Sequence, residues 1–311
     1  MRFGIMAMQI GALIPSAPPA GVTSGGPGDL IAHATHFDHA ALVRSLHAQG
    51  FNPVELGGDL SLFMPHTFAP PAIAGLAALQ AETGVSYTVH LPLWSVEPST
   101  PLTPVREGSV RAVTEIIRAI AALKPEVYVL HATGSLAAEF YGMRLPAAGK
   151  ALILRQFQAA ARHSLATILA ETGIPSRQLA IETIEFPFEL TLELAEALDL
   201  SLCLDVGHVL VGFSGPVDLF DALETCLPRL AEIHLHDAPC LTTAARWQGP
   251  ERQTGYGQDH QALGKGDLDL GRLLDRLIEV DFRGPVILEL TVEEALASLD
   301  VIRAVRPGVL A

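Results

Sequence analysis

The sequence predicts a single (β/α)8 TIM barrel over residues 1–311, on three observations. Short β-branched runs alternate with longer stretches of helical periodicity, the pattern of parallel strands joined by crossover helices. Eight such runs fit into 311 residues, the size and order of a closed barrel. Seven of the eight end on or beside a His, Asp or Glu, as strands do when their C-terminal ends converge on one reactive mouth. An open doubly wound sheet shares the local pattern and stands as the alternative.

The strands are expected over 2–7, 53–56, 87–91, 127–131, 178–182, 201–205, 231–235 and 285–289. Between them, apolar residues recur at three and four over 106–123, 151–171 and 267–278, which predicts amphipathic helices. Phe157, Leu165 and Leu169 follow that spacing and are expected in the core. Two connections are unusually long: the Pro-, Gly- and Ser-rich stretch 11–28, and 238–266, which contains Trp247 and Tyr256. Both follow strands, so both are expected on the mouth side, where long loops cover substrates. No repeat, linker or low-complexity block divides the chain.

Composition narrows the function. A hydrophobic content of 49% fits a globular protein, and no apolar run approaches the roughly 18 residues of a membrane span. The N-terminus superficially resembles a secretion signal, but its basic region is the single Arg2, and it reads better as a buried strand. A cytoplasmic location is expected. Cys203, Cys226 and Cys240 are odd in number and widely spaced, which fits neither a disulfide framework nor a thiolate zinc site, and they are expected as small apolar fillers. The net charge is −14 with no basic run. Such a surface repels a polyanion, so nucleic acid is not an expected partner and a small-molecule substrate is.

The strand ends carry the chemistry: Glu55 in VEL, His90 in TVHLP, His131 in VLHATG, Glu182 in AIETIEFP, Asp205 in CLDVGH, His234 in EIHLHD and Glu289 in LEL. With 12 His and 34 Asp plus Glu in the chain, chance would place about one such residue at eight chosen positions. Carboxylates gathered at one mouth repel or are desolvated unless a cation joins them. Imidazole and carboxylate ligands without thiolates point to zinc or manganese first, with iron and magnesium behind. His208 and His260, in the loops above the same mouth, are further candidate ligands. His236 and Asp237 are expected to support the ligands from behind. His33, His36 and His39 have a ligand-like spacing but fall before and at the start of the first helix, where they are expected to face solvent. The G-K-G at 264–266 lacks the spacing of a phosphate loop, and no G-x-G-x-x-G follows the first strand, so no nucleotide cofactor is indicated.

These motifs resemble the superfamily of xylose-isomerase-like barrels that also contains the endonuclease IV type of abasic-site nuclease. The resemblance implies metal ligands at His90, His131, Glu182, Asp205, His208, His234, His260 and Glu289, with Glu182 bridging two ions and two or three ions per chain. One position departs. The nuclease pattern has Asp two residues before the loop His, where this chain has Gln258, with Asp259 shifted by one.

The superfamily includes isomerases as well as phosphoesterases, so fold analogy does not choose the reaction. A sugar isomerase or epimerase would need only Glu182, Asp205, His234 and Glu289, and would leave His90 and His131 without a role. A multinuclear phosphodiesterase uses both, which makes a metal-dependent phosphoester hydrolase the leading expectation, with Glu182, His208 and Glu289 as its catalytic residues. Glu55, Trp247, Tyr256 and Lys265 are candidates for substrate contact, with Arg252 a further phosphate contact. SYTVHLP and the acidic surface are also similar to a cobamide-remodelling phosphodiesterase of this superfamily, which implies a small or medium diester such as the nucleotide loop of a corrinoid. A non-catalytic ligand-binding barrel is the remaining alternative, and it predicts a broken ligand set.

Overall fold

The computed structural model describes residues 1–8, 37–64, 66–243, 246 and 257–310. Eight parallel strands close into a barrel in sequence order: β1 Arg2–Met6, β2 Val54–Gly57, β3 Tyr87–His90, β4 Tyr128–Leu130, β5 Leu179–Glu182, β6 Ser201–Asp205, β7 Leu230–Leu235 and β8 Pro285–Leu288. β8 returns to pair with β1 along Arg2–Pro285 to Ile5–Leu288. Every expected strand is present, with no end displaced by more than one residue.

The two faces of each strand do different work, because successive side chains alternate. Outward residues such as Leu56, Val89, Leu130, Ile181, Leu204, Ile233 and Leu288 are buried in the main core between strands and helices. Each fully buried Leu, Ile or Val contributes roughly 1.5–3 kcal/mol by leaving water. Tyr87 and Tyr128 are the largest fully covered side chains among the described residues, and the Tyr87 hydroxyl donates to the Leu76 carbonyl at 3.0 Å. The helices present matching stripes. Thr103–Ile120 buries Val110, Val113, Ile117 and Ile120. Ala147–Thr172 buries Phe157 and Leu165, with Leu169 packed partly buried against the core. Leu270–Glu279 buries Leu270, Leu273, Leu274 and Leu277 behind an Asp269 cap. Val292–Val305, which follows β8, opens on a capping box between Thr291 and Glu294, fixing the chain as it leaves the mouth.

The barrel interior is layered. Val129, Ala180 and Cys203 form a small apolar cluster inside it, at the level where Thr88, Glu55 and Glu232 also point inward. Thr88 donates to Glu232 across the interior at 3.2 Å. Two residues further along β3 to β8 the interior becomes a wall of His, Asp and Glu. Cys203 and Cys226 are buried fillers, and Cys240 is half-buried beside Thr242. Among the described residues no helix is long and apolar enough to cross a membrane.

Candidate functional site

Glu182 closes β5 and is the hub of the mouth. Its Oε2 lies 3.2 Å from His90 Nε2 and 3.1 Å from His131 Nε2, and its Oε1 lies 3.2 Å from His208 Nδ1. His234 Nδ1 stands 3.5 Å from Glu182 and 3.2 Å from Glu289. His90 ends β3, and His131 and Glu289 follow the last residues of β4 and β8, so parallel strands deliver all of them to one level.

Hydrogen bonds behind the rings set their tautomers. His90 Nδ1 is 2.9 Å from the Leu91 carbonyl, so Nδ1 carries a proton and a neutral His90 presents a lone pair to Glu182. A lone pair and a carboxylate at that distance repel unless a proton or a cation joins them. Without an ion the proton does so. Burial alone would lower the His90 pKa, but Glu182 outweighs it and raises it to about 9. Burial would likewise raise Glu182, and the imidazoles of His131, His234 and His208 instead hold it well below the usual carboxylate range.

Asp205 closes β6 and caps the short helix Val206–Val211, its Oδ1 accepting the His208 N–H at 2.6 Å. That cap swings His208 back over the mouth, with Nδ1 3.4 Å from Asp205 Oδ2 and Nε2 3.5 Å from Asp259 Oδ2. His236 supports Asp205 from behind, 3.1 Å from Oδ2 through Nε2, while its Nδ1 accepts the backbone N–H of His260 at 2.8 Å. His236 therefore carries its proton on Nε2 and is engaged at both nitrogens, although its ring sits with those of His208 and His260 at ligand spacing. The close packing requires Gly207, where a Cβ would stand 2.1 Å from the His236 ring.

Asp237 anchors the same loop. Its carboxylate accepts N–H groups from Ala238, Leu268 and Gly264, and its backbone pairs with Gln261. A Cβ on Gly266 would collide with Asp237 Oδ1 at 2.4 Å. So held, the loop turns through His260 at φ +53°, a left-handed conformation that non-glycine residues adopt at some cost. It brings Asp259 Oδ2 to 3.5 Å from both His208 and His260. The one-residue shift of Asp relative to the nuclease pattern thus still delivers a carboxylate between these two histidines. Asp259 is a site residue to which the sequence pattern gives no role, and its adjacency to His260 is the available signal.

The donor set fits divalent cations. His208 Nδ1 and both ring nitrogens of His234 are buried without a hydrogen-bond partner, and an ion at either Nδ1 would satisfy it. Candidate ligand atoms fall within 4.8 Å of one another in His90–His131–Glu182, in Glu182–Asp205–His208 and in His90–His234–Glu289. Two of these groups share Glu182 and two share His90.

The mouth opens into a cavity of about 900 Å³. His90, His131, Glu182, His208, Asp259, His260 and Glu289 form its floor, and Met8, Trp94, Ile184, Phe213 and Leu290 are among its walls. Asp205 and His234 lie beneath that floor, fully covered. No described lining residue is Lys or Arg. Lys265 is exposed and does not line the cavity. Glu55 does not line it either: it is completely buried one layer below, 3.4 Å from His234 Nε2. Trp247, Arg252 and Tyr256 lie outside the described residues, as do His33 and His36. His39 is not solvent-facing as expected but 2% exposed, packed between Phe37 and Phe68, because the segment after β2 folds over the start of its helix. Glu232 is a further residue that reading strand ends alone passes over. It lies two residues before His234 on β7 and so on the same face, and period-two reading of that strand finds it.

The sequence matches no curated protein closely enough to be called a relative. Among solved structures, the chain superposes on a D-tagatose 3-epimerase-like protein with a TM-score of 0.68 at 17% identity, covering 98% of this chain and 97% of that one. It superposes on a 3-keto-D-glucoside 4-epimerase from E. coli with a TM-score of 0.64 at 16% identity, covering 98% and 99%. Endonuclease IV from Thermus thermophilus gives 0.61 at 20% identity, covering 98% of both chains. At these identities the likeness shows the fold. The family model for the xylose isomerase-like TIM barrel matches residues 43–305, and the chain belongs to that family.

Proposed function

We propose that the chain is a metal-dependent phosphodiesterase acting on a small or medium diester. The observation that carries this reading is the convergence of His90 Nε2 and His131 Nε2 on one oxygen of Glu182, at 3.2 and 3.1 Å. That pair adds an ion position to the quartet Glu182, Asp205, His234 and Glu289, and in-line displacement at phosphorus benefits from cations on both the attacking and the leaving oxygen. Bound zinc or manganese would acidify water and neutralise phosphoryl charge.

The chain's own residues do the rest. Glu182 holds four imidazoles in register and orients the attack. As water adds to phosphorus, the ester P–O bond breaks and the departing alkoxide takes up a proton. His208 and His260 both line the cavity, and the Nε2 of each is 3.5 Å from Asp259, which supports a part for them in supplying that proton. Burial and the neighbouring His236 lower the pKa of His260, and its Nδ1 lies 3.2 Å from the Glu289 carbonyl, so the neutral ring keeps its N–H on Nδ1 and its Nε2 can accept the proton lost by the attacking water and pass it to the alkoxide. The described lining holds acidic groups and histidines but no Lys or Arg, so recognition of phosphate falls to the ions. A chain of net charge −14 is a poor partner for duplex DNA, which favours a diester such as the nucleotide loop of a cobamide.

A second reading, epimerisation or isomerisation of a sugar, is favoured by the quartet itself, which suffices for one ion flanked by two carboxylates, and by the two epimerases among the similar structures. The test is hydrolysis of bis(p-nitrophenyl) phosphate by the zinc- or manganese-loaded chain, beside ketose epimerisation by the same sample. The proposal expects diester turnover that falls about 100-fold or more in a His90→Ala, His131→Ala variant, since even partners behind the ligands cost 10–100-fold. Epimerisation that survives the double substitution, with no diester turnover, selects the second reading.

A further inference from the structure

The interior layer below the mouth holds an acidic pair that the reaction does not use. Glu55 from β2 and Glu232 from β7 are both completely buried. Thr88 donates to Glu232, whereas neither oxygen of Glu55 has a hydrogen-bond partner. Register explains the depth: Glu55 is level with Thr88, and Gly57 is level with His90.

The His234 ring separates the two layers. Its Nδ1 faces upward, 3.2 Å from Glu289 and 3.5 Å from Glu182. Its Nε2 faces downward, 3.4 Å from Glu55 and 3.8 Å from Glu232. A neutral imidazole has one lone pair and one N–H, and an ion shared with Glu289 and Glu182 at Nδ1 would take the lone pair there and leave the N–H to Nε2, beside Glu55. A metal-bound histidine characteristically donates its other N–H to such a partner, which fixes the ring and raises its basicity.

We propose that Glu55 is a positioning residue: it takes the Nε2–H of His234 and so commits Nδ1 as the ligand atom shared with Glu182 and Glu289. This rests on the reading of the mouth as a metal centre and does not depend on which reaction the centre performs. Glu55 touches neither cavity nor substrate and acts only through His234. The same contact accounts for a charged side chain in a closed barrel interior, where an unpartnered carboxylate is costly.

The test uses the whole chain loaded with zinc. Affinity is measured by competition with a chromogenic chelator for wild type, Glu55→Gln and Glu55→Leu. Ring tautomers are read by long-range ¹⁵N–¹H correlation on histidine-labelled protein, with His234→Gln identifying the signal. We expect His234 to carry its proton on Nε2 and zinc on Nδ1. We expect Glu55→Leu to weaken zinc by about 10–100-fold, and Glu55→Gln, whose amide oxygen still accepts the N–H, to recover most of that loss. Zinc on Nε2 of wild type, or a folded Glu55→Leu that binds zinc within about twofold of wild type, would overturn the assignment while leaving the metal centre standing. If Glu55→Leu does not fold, the wild-type tautomer and the Glu55→Gln affinity decide it. A wild type that binds no zinc overturns both the assignment and the metal centre.

Discussion

The backbone N–H of His260 donates to Nδ1 of His236 at 2.8 Å, and the opposite nitrogen of the same ring meets Asp205. One imidazole thus ties the loop above the mouth to a candidate ligand at the end of β6. Replacing it by leucine strips the partner from a buried carboxylate oxygen and from a backbone N–H. His236→Leu is expected to cost roughly 1–3 kcal/mol of stability, together with tenfold or more of zinc affinity. Denaturant titration with chelator competition checks both, and unchanged affinity in a folded variant contradicts the role.

Gly207 makes the packing possible, since a Cβ there would stand 2.1 Å from the His236 ring. Gly207→Ala is expected to destabilise by about 1–3 kcal/mol and to reproduce the affinity loss of His236→Leu without touching a polar group. A thermal melt of apo and zinc-loaded protein reads the two effects separately.

How much of this is legible in the sequence depends on what each residue answers to. The strands are legible because buried parallel strands are nearly continuous apolar runs, and Ser201–Asp205 is placed to the residue. The ligand candidates follow because a barrel sends every strand's C-terminal end to one mouth. Depth inside the barrel is not legible. In the sequence Glu55 and His90 each stand one residue before the end of an apolar run, yet β2 continues to Gly57, which pairs with His90, so Glu55 pairs with Thr88 below it. His39 escapes the sequence for a related reason. Its burial comes from Phe68, which lies 29 positions along the chain and packs edge-on at 6.0 Å, and no local pattern announces that contact.

His39 yields an acid-lability prediction. Burial lowers its pKa from 6.5 to about 4, and neither ring nitrogen has a hydrogen-bond partner among the described residues. The unfolded chain takes up the proton at higher pH than the folded one, so stability falls as pH drops from about 6.5 through 4, by roughly 3 kcal/mol in all. His39→Leu should flatten that part of the pH–stability curve. An equally steep fall in the variant would assign the lability elsewhere.

Ion uptake should release protons. In the ion-free chain His90 holds a proton up to about pH 9, and a ligand nitrogen must give it up. Apparent affinity should therefore rise with pH toward 9, and calorimetry in buffers of different ionisation enthalpy should count the protons released. The sign reverses for stability without ions. With its folded pKa above 6.5, His90 contributes fully below 6.5, and that contribution is lost as pH rises through 9. Ion-free protein should lose stability across that window and loaded protein much less.

The most direct test of a multi-ion centre built on Glu182 is the number of ions bound per chain, measured by mass spectrometry on wild type and on the His90→Ala, His131→Ala variant after zinc loading. The account predicts two or more ions in wild type and the loss of at least one in the variant, with its Asp205–His208 side still occupied. A single ion that is unchanged when both histidines are removed would contradict it.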